Sequence, residues 1–141
     1  AAALVRWDMF DGEWMTVSDQ KGDETWTVFC PPSLADHLAT VQKRGAFVLP
    51  KNLTEPLGYS AVEKQFRTWR ASLGPEAKPF VLHGLRKLAI VQLAEAGCSD
   101  AEIQSITNQT PETVAYYRKR ADRKIMSRNA QMRRETGTNR E

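Results

Sequence analysis

The sequence predicts an α+β fold: a small antiparallel sheet of about three strands near the N-terminus, then a mostly helical body. Two stretches of alternating β-formers carry the first half of that statement, Glu13 to Ser18 and Glu24 to Phe29. The second half rests on helical spacing of apolar residues from Ser33 onward, punctuated by capping and stop signals. With 141 residues, the chain is expected to form a single domain spanning 1–141.

The strands come first. In Trp14-Met15-Thr16-Val17-Ser18, period 2 puts Trp14, Thr16 and Ser18 on one face and Met15 and Val17 on the other. Glu24 to Phe29 repeats the pattern. Asp19 to Asp23, polar and containing Gly22, suits a hairpin loop. Leu4 to Trp7, before an Asp11-Gly12 turn, is the third strand. Pro31-Pro32 ends the sheet, because proline cannot donate to a ladder.

The helices follow. Ser33 reads as the N-cap of a helix from about Leu34 to Arg44, with Leu34, Leu38 and Val41 as its stripe and Gly45 as its stop. Tyr59 to Leu73 carries Val62, Phe66, Trp69 and Leu73 on one face and closes at Gly74-Pro75. Leu85 to Ala96 is periodic and ends at Gly97. Ser99 with Glu102 three residues on is a capping-box pattern. Pro111 suits the first turn of a last helix that continues into a basic terminus.

Composition narrows the function. No apolar run approaches the ~18 residues of a membrane span, and no basic-then-apolar leader opens the chain, so an unexported protein is expected. The first residue is Ala, as in a piece of a longer protein. Cys30 and Cys98 are too few for a disulfide framework. His37 and His83 lie far apart, and no Cys/His cluster has metal spacing. Residues 115–141 hold nine Lys/Arg against three acids, a net charge of +6, whereas the rest carries −3. A basic terminal segment points toward a polyanion, although on charge alone a solvated face is the commoner explanation.

Four features occur in order: Lys21 in the hairpin loop, His83-Gly84-Leu85-Arg86 opening a helix, Asn108-Gln109 after a short helix, and Tyr116-Tyr117 in the next. Singly each is weak: a hairpin lysine is usually solvated, and a border tyrosine usually packs. Together they resemble the catalytic domain of tyrosine recombinases, the phage-integrase family. The resemblance is most specific over HGLRKLAIVQLAEAGCSDAEIQSITNQTPETVAYYRKRADR, residues 83–123, and extends less specifically over the whole chain.

The resemblance implies a site-specific recombinase or integrase, DNA-associated, cytoplasmic and of bacterial or phage origin. It would cut DNA by attack of a tyrosine on a phosphodiester, leaving a 3′-phosphotyrosyl bond. Tyr117 is the nucleophile by family register, with Tyr116 as the alternative. Arg86 would meet the charge that grows on the phosphate oxygens, His83 would exchange a proton, and Lys21 would protonate the leaving 5′-oxygen. Gln109 stands where the family has histidine; it can donate a hydrogen bond but cannot carry charge. Lys21, Arg118, Lys119, Arg120, Arg123 and Lys124 would contact DNA. No cofactor, metal or small-molecule substrate is implied. Double-stranded DNA and self-association on it are. Residues from about 128 are expected to form a basic tail that packs weakly, mobile or exchanged between protomers.

Two departures weaken the expected activity. The family's first-box arginine belongs upstream of Ala1; Arg6, in the strand after that box, is expected to be structural. Asn108-Gln109 replaces Gly-His. The polypeptide as given is therefore expected to bind DNA weakly and to cleave poorly or not at all. A different class is also open: Leu93 to Arg120 reads as a helix-turn-helix of a non-enzymatic DNA-binding protein. A purely structural module is the third reading.

Overall fold

The computed structural model describes residues 2–19 and 24–137. It is mixed α+β, as the sequence predicts, and divides into two compact units, one up to Pro79 and one from Phe80.

The first unit holds a single two-stranded antiparallel sheet among the described residues, β1 (Trp14–Ser18) and β2 (Thr25–Phe29). The register pairs Trp14 with Phe29, Met15 with Val28 and Val17 with Trp26. The Trp14 and Phe29 rings meet edge to face at 5.6 Å, a cross-strand pair of the kind that stabilises sheets. Asp11 starts the hairpin by accepting the backbone N–H groups of Glu13 and Trp14 at 2.9 and 2.7 Å, which holds its carboxyl below the usual range.

The third strand is not formed. Ala2–Leu4 and Trp7–Met9 are 3₁₀ turns. Between them Arg6 makes one isolated bridge to Phe47, closed by Trp7 N–H to the Ala46 carbonyl at 3.0 Å and Val48 N–H to the Val5 carbonyl at 2.9 Å. Turns on both sides leave too little extended chain for a ladder. The Arg6 side chain is held by Asp8 at 3.2 Å and lies 5.6 Å from the Phe47 ring centroid, which is a structural use.

Helix α1 (Pro32–Thr40) begins earlier and stops earlier than expected. Pro31, with φ −62° and ψ 143°, is its N-cap, and Ser33 lies inside the first turn; proline's fixed φ suits that entry. Val41 turns extended, with ψ 128°, so Gly45 does not end this helix. Its smallness serves another purpose: a Cβ there would lie 2.9 Å from the backbone of Asn52 and Leu53. Helix α2 (Tyr59–Ser72) runs as the periodicity predicts, yet none of its residues is buried, and Trp69 and Leu73 of its apolar face are exposed.

The second unit is a four-helix assembly: α3 (Gly84–Glu95), α4 (Asp100–Thr107), α5 (Pro111–Arg118) and α6 (Arg123–Glu135). Ile90 and Ala94 of α3, Ile103 of α4, Val114 of α5 and Ala121 form one buried cluster. The capping box forms: Glu102 N–H donates to Ser99 Oγ at 3.2 Å, and Ser99 N–H to the Glu102 carboxylate at 3.3 Å. Thr110 caps α5 through Thr113 N–H, with Pro111 in the first turn.

The last helix does not run on into the terminus. It breaks after Arg118 because Ala121 is drawn into the core and Asp122 starts a new helix, accepting Lys124 and Ile125 N–H at 2.8 and 3.2 Å. Nor is α6 loose on its own unit. Asn129 donates to the Glu95 carbonyl, and Arg133 Nη1 donates to the Gly97 carbonyl at 3.0 Å. These bonds satisfy carbonyls at the C-terminal end of α3, where cations are favoured. Gly97 takes φ +88°, a conformation that favours glycine, and the space a Cβ would fill is occupied by the Arg133 guanidinium.

Among the described residues no helix is long and apolar enough to cross a membrane.

Candidate active site

The face of α3 that builds the core continues toward its N-terminus as a polar patch. At about 100° per residue, His83, Lys87, Ile90 and Ala94 fall within a narrow sector, with Arg86 about 60° to one side. Ile90 and Ala94 are buried; His83, Arg86 and Lys87, beyond the apolar layer, are exposed. His83 occupies the N-cap position with helical φ and ψ, and its side chain makes no capping bond.

Helix α5 presents a matching face. Val114 is buried, and Tyr117, one turn on, packs its ring on the same core cluster. Lys87 Nζ lies 5.6 Å from the Tyr117 ring centroid, which brings the polar end of α3 over the tyrosine. Lys87 was not singled out by the sequence reading, although its position four residues after His83 carries the signal.

Tyr116 points elsewhere. It is 54% exposed, with its ring edge to face against Tyr117 at 5.0 Å. Arg120 covers both tyrosines: its guanidinium carbon is 4.6 Å from the Tyr116 centroid and 5.5 Å from that of Tyr117. Its Nη2 donates to Tyr116 Oη at 3.2 Å. That bond, then the Arg120 charge and smaller effects of Lys87 and Lys119, hold the Tyr116 phenol below its usual value.

Gln109 is half-buried and turned back on α4. Its Nε2 donates weakly to the Thr107 carbonyl at 3.4 Å, and its own carbonyl accepts Gln104 Nε2 at 3.3 Å. Neither bond links it to His83, Arg86 or Tyr117. Asn108 before it is the one non-glycine residue with positive φ among the described residues, at 52°. Asparagine is among the few residues that adopt this conformation readily.

The basic residues after Tyr117 do not act alike. Arg118 is turned inward, paired with Asp100 and donating to the Cys98 carbonyl at 3.4 Å. Lys119, Arg120, Arg123 and Lys124 are exposed. Arg123 and Lys124 sit in the first turn of α6, where the helix dipole disfavours cations. Lys21 lies outside the described residues. No group of three His, Cys, Asp or Glu side chains among the described residues is placed to hold a metal ion.

Comparison of the chain with protein-family models, with curated proteins and with solved structures finds no match.

Proposed function

We propose that the protein is the catalytic domain of a tyrosine-type DNA recombinase, with Tyr117 as nucleophile and duplex DNA as substrate. The observation that carries this reading is the gathering of cations on one tyrosine: Lys87 and Arg120 both lie within 6 Å of the Tyr117 ring centroid. His83 and Arg86 occupy the exposed turn just before Lys87. Like charges on one ring repel, and an anion placed among them relieves that repulsion.

In the proposed reaction Tyr117 Oη forms a bond to phosphorus as the bond from phosphorus to the 5′-oxygen breaks. The phenolic proton passes to His83, and the departing 5′-oxygen takes a proton from Lys21. Arg86 meets the charge on the non-bridging oxygens with a fixed, planar fork. The phosphotyrosyl bond conserves the energy for rejoining, which runs the same steps in reverse. Gln109 would have to leave Thr107 to donate to the phosphate. One weakened oxyanion-type donor costs about 10²–10³ in rate in other systems, so slow turnover is expected. The reading also expects protomers to associate on DNA, which sedimentation with and without duplex measures.

Against the helix-turn-helix reading stands the polarity of α5. Its first turn, the part a recognition helix offers to base edges, carries Glu112, and Arg118 in its last turn is already paired.

The test is an adduct trap. The chain, extended upstream to supply the first-box arginine, is mixed with nicked suicide duplexes of randomised sequence and denatured. A covalent protein–DNA adduct is expected, absent in Tyr117→Phe and retained in Tyr116→Phe. The reverse pattern assigns the nucleophile to Tyr116. No adduct with either tyrosine intact overturns the reading.

A further inference from the structure

We propose that Arg120 is a transferable phosphate ligand, parked on the Tyr116 hydroxyl without DNA and passed to the phosphodiester that Tyr117 faces when DNA binds. This rests on the recombinase reading and deepens it: Arg120 becomes a catalytic residue of the chain, and Tyr116 the positioning residue that holds it ready.

Three observations carry it. First, Arg120 lies four residues after Tyr116 and three after Tyr117, so the exit of α5 places it beside both rings. A tyrosine hydroxyl projects from the edge of its ring. A guanidinium 5.5 Å from the Tyr117 centroid therefore needs only a side-chain turn to reach a phosphate at that hydroxyl. Second, its present partner is a neutral phenol on an exposed ring. A phosphate offers two charged oxygens to the same fork and is the stronger acceptor. Third, the neighbouring cations are unequal in freedom. Arg118 is committed to Asp100 and the Cys98 carbonyl, whereas the partner Arg120 shows among the described residues is the Tyr116 phenol. The site also needs a cation: Gln109 cannot supply charge, and its amide is turned to Thr107.

Tyr116 then has a definite task. Its hydroxyl keeps the guanidinium over the ring pair and away from solvent rotamers, which reduces the ordering cost when phosphate arrives. The lowered Tyr116 pKa reports the same contact from the phenol's side.

The experiment follows Tyr116 and DNA affinity together in the chain itself, with tyrosine labelled at Cζ and a short nicked duplex as the probe. At saturating duplex, the Tyr116 Cζ resonance is expected to move to the position it has in DNA-free Arg120→Gln, because both states lack the same hydrogen bond. Arg120→Gln should bind about 10–100-fold more weakly, with a salt dependence shallower by about one unit. Arg120→Lys should restore the salt dependence but not the affinity, since it keeps the charge and loses the fork. Tyr116→Phe should keep the salt dependence, because charge and fork remain, but bind about two- to tenfold more weakly, because the guanidinium is no longer held ready. Duplex binding that leaves the Tyr116 resonance in place, with unchanged salt dependence in Arg120→Gln, overturns this inference alone. No binding by the unaltered chain overturns the recombinase reading and this inference with it.

Discussion

The two units bury their apolar residues in different ways. From Phe80 on, α3, α4, α5 and the link after α5 contribute Ile90, Ala94, Ile103, Val114 and Ala121 to one contiguous cluster. Among the described residues up to Pro79 the buried hydrophobics are Val5, Cys30 and Leu38, one from each of three segments. Large side chains such as Trp14, Phe29, Leu53, Trp69 and Leu73 stay exposed there. The helical unit is held by side-chain packing. The other relies on backbone bonds, an aromatic pair and a close approach of two strands of chain at Gly45. The candidate site is built on the packed unit, where a side chain's position follows from a rigid helix face rather than from a loop.

The sharpest test of that contrast is a cavity. Ile103→Ala should destabilise the protein by about 2–5 kcal/mol, because the side chain is fully buried within that cluster. Trp69→Ala, in the exposed face of α2, should cost about 0.5 kcal/mol or less despite the larger side chain removed. Urea midpoints of both variants measure this; comparable losses would break the comparison.

Smaller effects distinguish close approach from packing. Gly45→Ala should cost about 1–3 kcal/mol, because its Cβ meets backbone that cannot rotate away. In the helical unit, Ser99→Ala removes one half of the capping box and should cost about 1 kcal/mol. Asp100→Asn breaks a half-exposed ion pair worth about 0.2–1 kcal/mol, a loss visible as a small drop in melting temperature. The same change frees Arg118, so under the proposed function duplex affinity should rise and its salt dependence steepen by about one unit.

The smallest effect is a titration. Tyr116 should ionise below the ordinary tyrosine value of about 10, seen as early tyrosinate absorbance, and Arg120→Gln should return it upward. The sign for stability follows from the lowered folded value. Extra stability appears as pH rises through that value, is complete above the unfolded one, and is nil near neutrality. A Tyr116 titration unchanged by Arg120→Gln would mean that the two side chains do not meet in solution.

Parts of the site were legible in sequence because their signals are local. His83 and Arg86 share a helix turn by spacing, and Pro111 marks the first turn of α5. Tyr117 lies one turn after Val114, but pattern left the direction of that face open until Val114 was seen to be buried. Lys87 carried the same kind of signal four residues after His83 and was passed over. Arg120 was read as a contact to DNA, but its hold on Tyr116 depends on rotamers that spacing does not set. The Arg118–Asp100 pair joins residues eighteen apart through the packing of α4 against α5, and no pattern within either helix announces it.

The same division runs through the whole chain. Period 2 in β1 and β2, period 3.6 in α2 and α3, the Ser99–Glu102 box and Pro111 each act within about four residues, so the sequence alone determined those elements and the α+β class. Where helices end, which glycines are obligatory and where long basic side chains go were decided by contacts between distant segments. Gly45 looked like a helix stop until Asn52 and Leu53 came against it. The continuous basic helix broke because Ala121 was worth more in the core than in a helix and Asp122 could start another. Arg133 left the solvated face that its charge suggested for the carbonyls at the end of α3. In each case a distant partner offered hydrogen bonds or burial exceeding the few tenths of a kcal/mol that local propensity supplies.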